Sequence, residues 1–137
     1  MHDNPFLDWA HRSEEIDSVI PVFVLDTGRG MGEEGQIGPN RMRFLYDSLT
    51  DLDERLRREY SARLLVLEGR PEEAVPLLAK ELGSAGWLLC DYQADPKSRE
   101  QIGKIEESVL EMGIRTKVFP SVGTILDIEE AIAKPGF

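Results

Sequence analysis

Mainly apolar runs alternate along this chain with stretches in which apolar residues recur every three or four positions. The runs predict four β-strands, at residues 19–26, 63–68, 87–92 and 116–120. The helical spacing between and around them predicts helices at residues 2–10, 38–56, 97–112 and 127–133. A further helix should follow the turn at residues 69–71 and contain Val75, Leu78 and Leu82. Because strands alternate with helices, we expect an α/β fold of the Rossmann-like, doubly wound type. Its sheet should be mostly parallel, with about four strands and with helices on both faces.

The helix at residues 38–56 combines an apolar stripe with an unexpected cation. The stripe, which should face the core, consists of Met42, Leu45, Leu49, Leu52 and Leu56. Pro39 suits the first turn, whereas the positive charge of Arg41 opposes the helix dipole there. Either Arg41 forms a surface ion pair, or it faces a pocket at the carboxyl end of the preceding strand. Further along, Asp53 lies among interleaved arginines and glutamates that we interpret as a solvated helix face.

Two aspartates end strands that otherwise carry no charge. Asp26 follows the first apolar run, and Asp91 lies near the end of the third. Open parallel sheets bind ligands outside the carboxyl ends of their strands, so these acids and Arg41 could form one polar cluster. The glycine-rich segment at 28–32 does not supply a phosphate site, because it lacks the dinucleotide spacing and continues into Glu33.

Composition narrows the classes of function. A net charge of −10 over 137 residues argues against nucleic-acid binding by this chain alone. No apolar run is long enough to cross a membrane, which predicts an intracellular protein without membrane insertion. The length suits a single domain over residues 1–137. We predict no metal site and no catalytic centre from the residues, and we interpret the lone Cys90 as a core thiol.

Several of these segments together resemble the N-terminal α/β domain of the cryptochrome and photolyase family. The similar segments are HDNPFL at 2–7, IPVFVLD at 20–26, GPNRMRFL at 38–45 and SARLLVLEGRPEEAVPLL at 61–78. They follow the family order over nearly the whole chain. The third segment looks most like the animal cryptochrome and (6-4) photolyase branch.

The resemblance implies a chromophore site but not the family's flavin site. Full-length members bind FAD in a C-terminal helical domain that lies outside this chain, and some hold an antenna chromophore, a folate or an 8-hydroxydeazaflavin, at the strand ends. The antenna-pocket positions correspond to Phe23, Asp26, Arg41, Asp91 and Gln93. Gln93 stands where such members have glutamate, which removes one carboxylate from the implied pocket.

The family's first strand, which lies in the middle of its sheet, has no counterpart among these residues. Loss of a central strand leaves two rows of unpaired backbone groups. We therefore expect the four remaining strands to pair again around the gap, to borrow a strand from another chain, or to belong to a fragment. A protein partner that completes the sheet edge or gap is one expectation.

The resemblance favours a blue-light photoreceptor, antenna or protein-interaction module that has no catalytic centre of its own, although full-length relatives include DNA photolyases. A second hypothesis is a repurposed structural or accessory subunit of a multiprotein complex. A third is a Rossmann-like nucleotide-binding protein. The family resemblance implies a location in the cytoplasm or nucleus, and an organelle is also open.

Overall fold

A computed structural model describes residues 5–26, 38–91 and 95–119 of the chain. In order along the chain, the elements are α1 (Pro5–Arg12), β1 (Val22–Asp26), α2 (Pro39–Tyr60), β2 (Leu65–Gly69), α3 (Pro71–Leu82), β3 (Trp87–Asp91), α4 (Pro96–Glu111) and β4 (Arg115–Phe119). Helices and parallel strands alternate, which confirms the predicted α/β class. The glycine-rich segment, the last predicted helix and the first four residues lie outside the described residues.

The helices begin and end at residues whose chemistry explains the boundaries. Proline occupies the first turn of α2, and that helix ends at Ser61, which adopts a left-handed φ of 53°. Asp95 caps α4 by accepting a hydrogen bond from the backbone N–H of Ser98 at 2.9 Å. Gly113, the residue directly after the helix predicted at 97–112, follows the end of α4 with φ of 77°, the left-handed conformation in which a glycine ends a helix.

The described strands make two parallel pairs. β1 pairs with β2 from Val22 opposite Leu65, and β3 pairs with β4 from Trp87 opposite Arg115. Within the described part of the chain, β1 has no other strand partner and neither has β3. The expectation that the strands pair again around the gap stays a prediction.

β1 is shorter and more exposed than its sequence predicts. It begins at Val22, so Val19 and Ile20 precede it, and these two residues are 39% and 47% exposed. A continuous apolar run of this kind is typical of a strand buried on both faces, but Val22 is 39% exposed and no residue of β1 is fully buried. An apolar run predicts burial only if neighbours cover it, and among the described strands only β2 pairs with β1.

The chain divides into two compact units. The central unit is Ser18–Leu77, and the terminal unit combines Met1–Asp17 with Leu78–Phe137. Among the described residues of the central unit, only Leu56 of the α2 stripe is a buried apolar residue, at 3% exposure. The terminal unit contains the other buried apolar residues, Ala10, Ile105, Val109, Ile114 and Phe119. Whether both units make one domain stays a prediction.

The sheet of the terminal unit has two distinct faces. Side chains alternate along a strand, so Trp87 and Asp91 share one face of β3 while Cys90 lies on the other. α1 packs on the first face through Trp9, whose ring lies 5.1 Å from that of Trp87. α4 packs against β4 and carries Glu106, whose charge acts on Cys90 on the second face. This arrangement confirms helices on both faces for this pair of strands.

Candidate ligand site at the strand ends

The structure places both strand-end aspartates where the sequence predicts them. Asp26 is the last residue of β1, and Asp91 is the last residue of β3. Phe23 also belongs to β1, three positions before Asp26, so strand alternation turns the two side chains to opposite faces. A ligand that contacts both must therefore reach around the end of the strand.

The remaining predicted pocket residues lie in different parts of the chain. Arg41 lies in the first turn of α2, is exposed, and forms no ion pair with a described residue. Asp26 and Arg41 belong to the central unit, whereas Asp91 belongs to the terminal unit. Gln93 lies outside the described residues. The pocket of five residues therefore stays a prediction, and the structure defines the surroundings of one of its members, Asp91.

Asp91 is the most unusual acid in the described part of the chain. Its Oδ1 atom is buried and has no hydrogen-bond partner there. Burial raises the pKa of the Asp91 carboxyl, because removing the group from water disfavours its charged form. A buried acceptor without a donor is costly, so this carboxyl is suited to accept a hydrogen bond from an N–H or O–H group of a ligand.

Aromatic rings cover the same face of the sheet. Phe6 and Trp9 of α1 approach Phe119, with ring centroids 6.3 Å and 6.0 Å away. Trp9 also meets Trp87 edge to face, a favoured arrangement of two aromatic rings. α1 is thus held on the face that carries Asp91.

Two cations of β4 stack on this aromatic cluster. The Arg115 guanidinium lies 3.9 Å from the Trp87 ring centroid and donates a 2.7 Å hydrogen bond to Glu15. Glu15 also accepts a 3.3 Å hydrogen bond from the indole N–H of Trp87. The ammonium of Lys117 lies 4.9 Å from the ring centroid of Trp9. We did not predict these contacts, and the available sequence signal was the alternate spacing of Arg115, Lys117 and Phe119, which places them on one face of β4.

The opposite face of β3 carries an unreactive thiol. Burial, followed by the charges of Glu106 and Asp91, raises the pKa of Cys90 to about 11. A thiol with this pKa contains little nucleophilic thiolate at neutral pH. Cys90 is half-buried, and its interpretation as a core thiol stays a prediction.

Asp53 of the central unit organises a connection that we missed. Its carboxylate accepts a hydrogen bond from the backbone N–H of Leu64 at 2.9 Å and pairs with Arg63 at 3.2 Å and Arg57 at 2.9 Å. The backbone hydrogen bond is the largest cause of its lowered pKa, followed among the lowering causes by the Arg63 hydrogen bond and the arginine charges. The interpretation of this acid as part of a solvated face was therefore incomplete. It ties α2 to the segment that enters β2.

The described residues contain no group of three or more histidine, cysteine, aspartate or glutamate side chains placed to hold a metal ion. None of the helices in the described ranges is long and apolar enough to span a membrane.

A family model of the DNA photolyases matches residues 1–136. The chain belongs to this photolyase and cryptochrome family. Cryptochrome-1 of Gallus gallus is 34% identical over 99% of the chain, and Cryptochrome DASH of Xenopus laevis is 29% identical over 87%. This membership confirms the resemblance seen in the motifs, whereas nucleotide binding by this chain stays a prediction.

The structure of this chain is similar to the crystal structure of an archaeal photolyase from Sulfolobus tokodaii. The TM-score is 0.64, with 28% identity over 86% of this chain. That structure contains two FAD molecules and is described as implying a novel light-harvesting cofactor. The chain spans 21% of the Gallus protein, 23% of the Xenopus protein and 26% of the archaeal one.

Proposed function

We propose that this photolyase and cryptochrome domain is a blue-light antenna or photoreceptor module that binds an aromatic chromophore and has no catalytic centre of its own. The observation that carries the proposal is Asp91 at the carboxyl end of β3, whose buried Oδ1 has no donor among the described residues. In parallel sheets this end of a strand is the usual place for a ligand. An intracellular location, which the family resemblance favours, is part of the same proposal.

The chemistry of Asp91 fits the chromophores that the family implies. The ring systems of flavins, deazaflavins and folates carry N–H groups, and one of these would supply the hydrogen bond that Oδ1 lacks. A bound chromophore of this class absorbs at wavelengths longer than the absorption bands of tryptophan and tyrosine, so its band is distinct from that of the protein. Asp91 would orient the ring, and Phe23, Asp26, Arg41 and Gln93 remain the other proposed contacts.

FAD is a suitable probe because the archaeal relative contains it. The chain has two tryptophans, Trp9 and Trp87, and both lie in the terminal unit with Asp91. We expect FAD to quench their fluorescence on titration. Asp91→Ala should weaken FAD binding about tenfold, the effect of losing one hydrogen bond to a carboxyl group. Asp51→Ala is the matched control, because Asp51 is an exposed acid that pairs with Arg55 on α2.

Equal FAD affinities for the parent chain and for Asp91→Ala would remove Asp91 from the site. Protein purified from its native source provides the independent check. The absence of any absorption band between the near-ultraviolet and the blue in that protein would contradict a bound chromophore.

A second candidate function is that of an accessory subunit or protein-interaction module. The division of the described strands into two separate pairs favours it, because each pair leaves an apolar strand with one unpaired edge. Co-purification of the native protein within a stable complex is the expected result. Isolation as a monodisperse monomer from the native source would contradict it.

A further inference from the structure

Two opposite charges lie on the same face of the terminal unit without pairing. Asp91 ends β3, and in the parallel register it lies opposite Phe119 of β4. Lys117 is two residues before Phe119, so strand alternation places it on the face that Asp91 and Phe119 share. Within the described part of the chain, neither an ion pair nor a hydrogen bond joins Asp91 to Lys117. Both side chains are half-buried, so each has lost contacts with water without gaining the other as a partner.

Aromatic rings hold Lys117 in its position. The ammonium of Lys117 lies 4.9 Å from the ring centroid of Trp9 and 5.5 Å from that of Phe119. Attraction to a ring face uses the charge of an ammonium but not its hydrogen-bond donors, and no described residue accepts a hydrogen bond from Lys117. The neighbouring cation of β4 differs, because Arg115 donates a 2.7 Å hydrogen bond to Glu15. Lys117 is thus a positioned donor without an acceptor in the described ranges.

The chemistry of these two groups defines what can bridge them. Neighbouring strands are about 4.8 Å apart and two residues along a strand span about 6.6 Å, so the Cα atoms of Asp91 and Lys117 are roughly 8 Å apart. An ionised carboxylate only accepts hydrogen bonds, and an ammonium only donates them. A ligand that bridges them presents an N–H group to Asp91 and an oxygen acceptor to Lys117. The imide edge of a flavin and the lactam edge of a pterin both carry N–H beside C=O, whereas the amino edge of adenine carries no carbonyl.

We propose that Asp91 and Lys117 together bind the imide or lactam edge of a heteroaromatic ring, of the kind that flavins and pterins carry. Asp91 accepts a hydrogen bond from the ring N–H, and Lys117 donates one to the neighbouring carbonyl oxygen. The inference rests on the proposed chromophore function and specifies which part of the ring the site recognises. It adds Lys117 to the contacts, a residue that the family resemblance did not indicate.

Riboflavin and unsubstituted pterin are the probes, because they carry the two edges but no phosphate or carboxylate that would attract a lysine by charge alone. The matched analogue is N3-methylriboflavin, in which a methyl group replaces the hydrogen of the imide N–H. Equilibrium dialysis against the whole chain measures each affinity. Lys117→Met removes the ammonium but keeps an apolar side chain next to Trp9. Lys80→Met, in the last turn of α3, is the control for an exposed lysine of the same unit.

The two contacts should separate in these measurements. We expect the parent chain to bind riboflavin about tenfold more tightly than N3-methylriboflavin, a preference that Asp91→Ala should abolish and Lys117→Met should keep. Lys117→Met should weaken riboflavin binding about tenfold, whereas Lys80→Met should leave it unchanged. A hydrogen bond to a ring carbonyl shifts the absorption band of the ring, so the band of bound riboflavin should move toward its free position in Lys117→Met but not in Lys80→Met. The more tightly bound of riboflavin and pterin identifies the ring class.

Failure of this inference is distinct from failure of the proposed function. If the parent chain binds either ring and Lys117→Met binds that ring equally well, the inference is overturned while a chromophore site at Asp91 stands. Equal affinities of the parent chain for riboflavin and N3-methylriboflavin would overturn it as well. If Lys117→Met weakens the binding of FAD but not of riboflavin, Lys117 attracts phosphate and the inference is wrong. Absence of riboflavin and pterin binding also overturns it, and the proposed function falls with it only when FAD does not bind either.

Discussion

Asp91→Asn is expected to stabilise the chromophore-free protein, even though the proposed chromophore site depends on Asp91. The substitution removes a charge from a partly buried position while keeping nearly the same shape. The asparagine amide is still a polar group without a partner, so the gain comes only from removing the negative charge, and desolvation of such a group costs on the order of 1–3 kcal/mol. Water screens part of the Asp91 side chain, so we expect the lower end of that range, about 1 kcal/mol, to be regained at neutral pH.

The pH dependence of this effect follows from the raised pKa of Asp91. Its folded-state pKa lies above the ordinary value of 3.8, so the folded chain holds the proton more tightly than the unfolded chain. The stability that comes from the protonated carboxyl is complete below the unfolded pKa and is lost as the pH rises through the folded pKa. The advantage of Asp91→Asn should therefore vanish near pH 3 and grow as the pH rises above about 4.

Urea unfolding followed by tryptophan fluorescence measures the difference in the free energy of unfolding. With a urea slope of about 2 kcal/mol per molar, 1 kcal/mol shifts the midpoint by about 0.5 M. Asp51→Asn, on the exposed surface of α2, should shift it by much less. A lower midpoint for Asp91→Asn at pH 7, or a gain that does not change with pH, would refute the reasoning from an unpaired buried carboxyl.

Three further predictions concern packing, thiol reactivity and a hydrogen bond. Val109 is 1% exposed, so Val109→Ala should lower the free energy of unfolding by about 2–3 kcal/mol in urea titrations. Leu110 on the same helix is 68% exposed, and Leu110→Ala should change that free energy by less than about 0.5 kcal/mol. Equal effects of the two substitutions would contradict the packing of α4. Cys90, with its pKa of about 11, should react with a disulfide reagent at pH 8 on the order of 100-fold more slowly in the folded chain than in urea, and equal rates would show an accessible thiolate. Asp53→Asn should lower the urea midpoint at pH 7, because it weakens the hydrogen bond from the backbone N–H of Leu64. The pKa of Asp53 is lowered below 3.8, so the stability that its carboxylate contributes is present above that pH and is lost as the pH falls through the folded pKa. A difference in urea midpoint between parent and variant that is the same at pH 2 as at pH 7 would contradict a stabilising role of the Asp53 carboxylate.

Local sequence was sufficient for the elements of the fold. The stripe from Met42 to Leu56 predicted α2, and Gly113 predicted the end of α4, because helical spacing and a left-handed stop act over a few neighbouring residues. The motifs also identified the family, whose model matches nearly the whole chain. The placement of Asp26 and Asp91 at strand ends likewise followed from where each apolar run stops.

Contacts between residues that are distant in sequence could be identified only from the tertiary structure. An apolar run such as β1 has the composition of an inner strand, but its exposure depends on which strands pair with it, and the structure shows one partner. Asp53 looked like one more surface charge until the fold brought the N–H of Leu64 to it. Likewise, only the surroundings of Asp91 show that its Oδ1 has no hydrogen-bond partner among the described residues. Sequence thus determined the local elements and the family, because both depend on short-range patterns, whereas burial and pairing arise only when distant segments meet.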